Sequence, residues 1–301
     1  MKKIIIAFCI TILLTSSANA CEICGCGVGN HYIGLLPQFN HHFFGVRYRF
    51  SSFNTRLNDD PSEFSKDFYQ TVELWGGLNI GKHWQLLGFV PYNIVYQQSD
   101  EGTVHRNGLG DITVMANYKL LEKISGTRNM ISQQLWIGGG FKLPTGAFSI
   151  DPADPDLASI ANSQVGSGST DFILNTNYNI RINKLGVSTN LSYKINTANK
   201  DDYKFGNRFS ANSFVFYSLP AKSVIFMPNL GILYEHAALN DLQNSKVELT
   251  SGNMVMAAAG TEISVNKLSL GFNVQLPVSQ NFADGQTKTK FKGMVHMAYA
   301  F

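Results

Sequence analysis

Cysteine, proline and charge are all scarce in this chain, and each scarcity closes off a class. There are 4 cysteines in 301 residues: Cys9, then Cys21, Cys24 and Cys26, with none thereafter. A disulfide framework running through the fold is thereby excluded. Proline is sparse at 9 and charged residues make up only 15%, which argues against a disordered chain and fits a helical enzyme poorly. The net charge of +3 is too small to imply a nucleic-acid partner. No segment after the N-terminus offers the roughly 18 uninterrupted apolar residues that a membrane-spanning helix needs.

What the chain does have is glycine, aromatics at 12%, and alternation. In "FKGMVHMAYAF" Phe291, Val295, Met297, Tyr299 and Phe301 share one parity, against Lys292, His296, Ala298 and Ala300 on the other, the period of a strand. "LGVSTNLSYKIN", "DFILNTNYNIRI" and "LSLGFNVQLPV" split the same way. About twelve such segments occur, at 41–56, 67–80, 83–98, 108–121, 131–144, 169–182, 185–198, 204–219, 223–237, 249–265, 267–279 and 289–301. Each is long for a soluble strand and suits a tilted strand crossing a bilayer.

The connections alternate as well. "GK" after Ile80, "NK" before Leu185, "AK" after Pro220 and "NK" before Leu268 are short. "RLNDDPSEFSK", "SDEGTVHRNG", the run from Thr145 to Ser169 and "NFADGQTKT" are long and polar. "EKISGTR" fits the short end least well. An even strand count with short turns at one end and long loops at the other predicts an all-β transmembrane antiparallel barrel in the outer membrane, with both termini in the periplasm. A secreted sandwich would also alternate, but with shorter strands and no such loop rhythm. The terminal Phe301 resembles the signal that the barrel assembly machinery reads, so that machinery and outer-membrane lipid are the expected partners.

The N-terminus reads as a secretory signal peptide over 1–20, with Lys2 and Lys3, an apolar Ile4–Leu14 and a small-x-small Ala18-Asn19-Ala20. A Cys-rich periplasmic segment, 21–40, then precedes the barrel, 41–301. Three readings of "CEICGCG" stay open. Cys21, Cys24 and Cys26 bind copper or zinc, with His31 as a fourth ligand and His41 or His42 as alternatives. Two of the thiols form a disulfide and the third pairs with another molecule. Or Cys21 is a lipidated first residue. The segment up to the first strand is apolar enough to dock in the periplasmic mouth.

With apolar residues toward lipid, the other parity faces a lumen. It carries Arg47, Arg49, Glu73, Asp111, Lys119, Lys142, Arg181, Lys194, Arg208, Glu235, Glu262, Lys292 and His296. Such charges either brace the wall by pairing or leave a modestly anion-favouring pore. Phe43, Trp75, Phe89, Trp136, Phe214 and Phe216 share this parity and offer an apolar patch to an amphipathic solute.

"NGLGDITVMANYKL" (107–120) and "GGGFKLPTG" (138–146) resemble the Gly-Leu-Gly-Asp-Ile strand and the Leu-Pro-Thr-Gly strand end of the MetA-pathway of phenol degradation family. Gly108, Gly110, Asp111, Pro144, Thr145 and Gly146 occupy the motif positions. The resemblance implies an outer-membrane transporter for a small solute, aromatic or otherwise. The N-terminal thiols lie outside that pattern and look like a feature of a narrower, Cys-rich group of the Bacteroidetes type.

Enzyme signatures are missing. Glu235 and His236 stand near a loop without a matching nucleophile, "DPADPD" lacks the glycine and distal glutamate of a calcium loop, and "GGG" sits inside a strand. The expectation is a passive channel for a small solute, with a barrel that merely anchors a metal-binding N-terminal module as the alternative.

Overall fold

The computed structural model describes residues 41–58, 62–100, 102–126, 130–151 and 157–301. The signal-peptide segment and residues 21–40 lie outside the described residues.

Among the described residues there are seventeen strands: β1 (Phe43–Arg56), β2 (Phe64–Ile80), β3 (Trp84–Ser99), β4 (Gly102–Leu109), β5 (Ile112–Ser125), β6 (Ile131–Leu143), β7 (Asp171–Ile182), β8 (Leu185–Ile195), β9 (Tyr203–Lys204), β10 (Arg208–Tyr217), β11 (Leu219–Ala221), β12 (Val224–Ala237), β13 (Asn240–Leu242), β14 (Ser245–Val247), β15 (Gly252–Val265), β16 (Leu268–Phe282) and β17 (Thr287–Ala300). A short helix, α1 (Leu157–Asn162), lies between β6 and β7. Twelve long strands, β1, β2, β3, β5, β6, β7, β8, β10, β12, β15, β16 and β17, follow one another as antiparallel neighbours. The sheet closes on itself: β1 pairs with β17 from Phe43↔Ala300 onward, and β10 pairs with β12. A closed sheet has no free edge, the condition a strand must meet to sit in hydrocarbon.

Side chains obey the alternation. On β1 the even positions Phe44 and Val46 are exposed while Phe43, Arg47, Ser51 and Thr55 are buried. The same holds around the ring, and the outward positions form an apolar belt that includes Leu74, Leu78, Phe172, Leu230, Leu270 and Phe272. An apolar surface circling the whole molecule is incompatible with water and fits a lipid belt about 25 Å tall.

At one end the turns are tight. Asn183 and Asn266 take φ of 54° at their hairpins, a left-handed conformation that a short polar side chain tolerates. Both chain ends of the barrel lie here, where the Phe301 amide donates to the His42 carbonyl at 2.9 Å. The opposite end carries long connections. There β9, β13 and β14 form a small separate sheet in the order β14-β13-β9.

Two connections differ from the sequence expectation. "SDEGTVHRNG" is not a loop: β3 runs to Ser99 and returns at once as β4, pairing from Ser99↔Gly102 to Tyr92↔Leu109. β4 and β5 are one strand direction interrupted at Gly110-Asp111, β4 pairing the upper half of β3 and β5 the lower half. The polar composition of 102–108 hid this arm because both of its faces are solvated. Likewise the "EKISGTR" region is mostly strand, with β5 continuing to Ser125 past a bulge between Lys119 and Leu121.

Candidate functional site

Of the thirteen residues expected on the lumen parity, Arg47, Glu73, Asp111, Lys142, Lys194, Glu262 and His296 are buried, Arg49, Lys119, Arg208, Glu235 and Lys292 are half-buried, and Arg181 is exposed. Most carry a partner. Glu73 accepts from Arg47, its cross-strand neighbour in register, and from Arg49 at 3.1 Å. Lys292 lies 2.8 Å from Glu235, and His296 Nε2 lies 3.1 Å from Glu262. Lys119 pairs with Glu122 at 2.9 Å and lies over the Trp136 ring at 5.1 Å. Arg208 and Lys194 are register partners on β10 and β8, so two cations sit side by side on that wall. Arg181 is exposed at the turn-end rim.

The remaining pair, Asp111 and Lys142, belongs to a larger construction at the loop end. Lys142 is 3% exposed and reaches Asp111 at 2.9 Å and Asp171 at 2.6 Å, with Ser167 as a third partner. Asp111 also accepts from the amides of Gly146 at 3.0 Å and Ser167 at 2.9 Å, and from the Ser167 hydroxyl at 2.7 Å. Thr145 Oγ1 accepts from the Ile112 amide at 2.9 Å and donates to the Gly110 carbonyl at 2.8 Å. A Cβ on Gly146 would meet Gly166 Cα at 2.7 Å, so two backbones touch there, and one on Gly110 would meet the side-chain amide of Asn93 at 2.5 Å. The strand interruption at Gly110-Asp111 and the Pro144-Thr145-Gly146 turn are thus two halves of one clamp.

What the clamp holds is the connection from β6 to β7. Val165 presents its carbonyl to the inward Asn93 at 2.7 Å, and Ser159 accepts from the inward Gln97 at 2.8 Å. Ala161, Asn162, Ser163, Gln164 and Val165 are buried. On its far side Phe148 and Ala161 pack with Tyr203 and Phe205, and Asn199 donates to the Ser167 carbonyl at 3.1 Å. The second part of this connection, from Ser159 to Ser169, therefore folds into the mouth of the barrel. Each buried aromatic ring here contributes on the order of 2 kcal/mol of burial.

Asp67 sits beside the same mouth, on the part of β2 that rises beyond its outward apolar run, Val72–Ile80. Ser65 donates to it at 2.8 Å, while Phe53, Tyr69 and Val95 pack alongside. Asp67 and Asp171 were missed by the sequence reading, although parity alone would have turned both inward. Ser167 left no sequence signal.

Deeper in, the wall carries two apolar groups. Phe43, Trp75, Leu87, Phe89, Met115 and Ile173 form one, and Phe214, Leu233, Met254, Met256, Phe282 and Met294 the other. Arg47 lies against the first group, its guanidinium 5.0 Å from the Trp75 ring and 5.6 Å from that of Phe89.

Cys21, Cys24, Cys26 and His31 lie outside the described residues. Among the described residues no cluster of His, Cys, Asp and Glu has metal-binding form. Of the alternative fourth ligands, His41 is exposed, whereas His42 is engaged, its Nδ1 accepting from the Asn79 amide at 3.1 Å and its ring stacked on Phe301.

A closed twelve-strand sheet with an apolar exterior, a polar inner wall and a folded-in mouth defines a transmembrane β-barrel of the outer-membrane type. Within that class, the chain belongs to the family described as "Putative MetA-pathway of phenol degradation", which matches residues 51–228 and spans both halves of the clamp. Among solved structures it is similar to the COG4313 outer membrane channel from Pseudomonas putida F1, at 14% identity and a TM-score of 0.63, covering 87% of this chain and 96% of that one. It is also similar to the β domain of the Bordetella autotransporter BrkA, at 11% identity and a TM-score of 0.51, covering 87% of this chain and 100% of that one. A search of curated proteins gave no match.

Proposed function

We propose that the protein is a passive outer-membrane channel for a small amphipathic solute, aromatic in the simplest case. The observation that carries this reading is the inner wall: two apolar, ring-bearing groups flank charged residues that are largely paired, beneath a mouth narrowed by a folded-in connection. A wall of that kind offers a ring both stacking surface and hydrogen-bonding groups, and its mutual neutralisation leaves only a modest field for ions. The family's description, which speaks of phenol degradation, points to the same solute class. Export by a signal peptide over 1–20 and insertion by the barrel assembly machinery follow from the barrel's location in the outer membrane of a Gram-negative envelope.

Conductance and flux test it. In planar bilayers the purified protein should give discrete current steps, and in proteoliposomes it should pass phenol-sized solutes faster than sugars of equal mass. A protein that neither conducts nor passes solute would be the membrane anchor of the alternative reading. The Cys-rich segment is a copper or zinc site in this proposal, with Cys21, Cys24, Cys26 and His31 as ligands. Stoichiometric metal that vanishes in a Cys21/Cys24/Cys26→Ser variant supports it, and metal-free, oxidised thiols sink it.

A further inference from the structure

On the outer surface at the loop end, β1, β2 and β17 carry two rows of side chains set by their register. In the upper row Asn54 lies between Lys66 on β2 and Lys288 on β17. In the lower row, one pleat nearer the apolar belt, Ser52 lies between Phe68 and Phe291. Two strand spacings separate the flanking residues, about 10 Å. Arg56 stands one pleat above the lysines, and Lys290 sits where the β1–β17 register shifts. All four cations are exposed, and together they line a groove of about 480 Å³ with no carboxylate among the described residues of its lining. Glu63 and Asp284 stand on neighbouring turns outside that lining. Among the described residues none of the four forms an ion pair.

Beneath them the surface is aromatic. Phe50 and Phe291 meet edge to face at 5.8 Å, and Tyr48 lies 5.9 Å from Phe50. Rings at a membrane interface mark the boundary between acyl chains and headgroups, so cations one pleat beyond them stand at headgroup height. Gathering four like charges there is unfavourable until an anion joins them.

We propose that this groove binds the phosphate groups of a phosphorylated glycolipid of the outer leaflet, of the lipid A type. Lys66, Lys288 and Arg56 donate to phosphate oxygens, and the acyl chains descend over Phe68, Phe291 and Phe50. The inference rests on the reading that the loop end faces outward in an outer membrane.

The test uses the full-length mature chain in phosphatidylcholine nanodiscs doped with bisphosphorylated lipid A, with dephosphorylated lipid A, or with neither. Native mass spectrometry counts the retained glycolipid, and heat-modifiable gel migration shows that each variant is folded. Wild type should retain bisphosphorylated lipid A at least fivefold better than the dephosphorylated form. Lys66→Gln/Lys288→Gln should lose that preference, while Lys123→Gln/Lys267→Gln, an equal charge change at the turn end, should keep it. Equal retention of both glycolipids overturns the site, as does equal loss in both double variants. Displacement of the glycolipid by inorganic phosphate at equal concentration would reduce it to a free-anion site and overturn the lipid assignment. Conductance of the same preparations separates this from the channel reading: current without glycolipid preference removes the site alone, and preference without current removes the channel alone.

Discussion

At Lys142 two carboxylates and a hydroxyl converge on one buried ammonium, and the balance of charge there depends on all of them. Removing the cation leaves Asp111 and Asp171 facing each other out of water, a change that costs about 3–5 kcal/mol when a buried pair is broken. Lys142→Met should therefore lower the urea midpoint of the folded barrel and open the mouth, seen as larger single-channel current. Adding Asp111→Asn and Asp171→Asn should recover part of the loss, since neutral amides need no counter-charge. If the single variant unfolds at the wild-type midpoint, the clamp is not electrostatic. Parity made Lys142 and Asp111 legible as inward residues, but not their partnership. Which inward groups meet depends on strand register and on the course of the long 144–170 connection from β6 to β7, which no local pattern encodes.

Among the elements, the connection from β6 to β7 is the one whose place in the fold was least legible. Its polar, aspartate-bearing first part reads as solvent-exposed, and Asp154 and Asp156 lie outside the described residues. Its second part, Ala161 to Ser169, is buried against inward Asn93, Asp111 and Lys142, none of them near it in sequence. The Gly-Leu-Gly-Asp and Leu-Pro-Thr-Gly stretches were legible as motifs before their purpose was. Each supplies one side of the clamp, and a glycine is needed on each because the facing atoms leave no room for a Cβ. Replacing 149–164 by a short Gly-Ser linker should leave the barrel folded, because the strand ladder on either side closes without it. The current per channel should rise at least twofold. Unchanged current in a folded deletion variant would mean that the constriction lies elsewhere, at the paired charges of Arg47, Glu73 and Arg49.

For the whole molecule, the twelve-strand closure was readable because period-2 alternation with one apolar face survives in nearly every strand, and the tight turns at Asn183 and Asn266 pin neighbouring strands in register. Which end faces outward is a proposal that rests on loop length alone, a rule about how such barrels insert and not a property of the sheet. The orientation matters to both proposals, since the proposed one would put the folded-in mouth and the four outer cations on the cell's exterior and the chain ends in the periplasm. Single cysteines placed in an otherwise Cys-free mature barrel decide it. Ser149 at the loop end and Lys184 at a tight turn are suitable positions, because they occupy opposite ends of the barrel and lie outside the twelve-strand ladder. A membrane-impermeant maleimide added to intact cells should label Ser149→Cys and spare Lys184→Cys, with both labelled after the cells are broken. The reverse pattern would turn the barrel over, place the cation groove at the inner leaflet, and remove the glycolipid from its reach while leaving the inner wall and its solute unaffected.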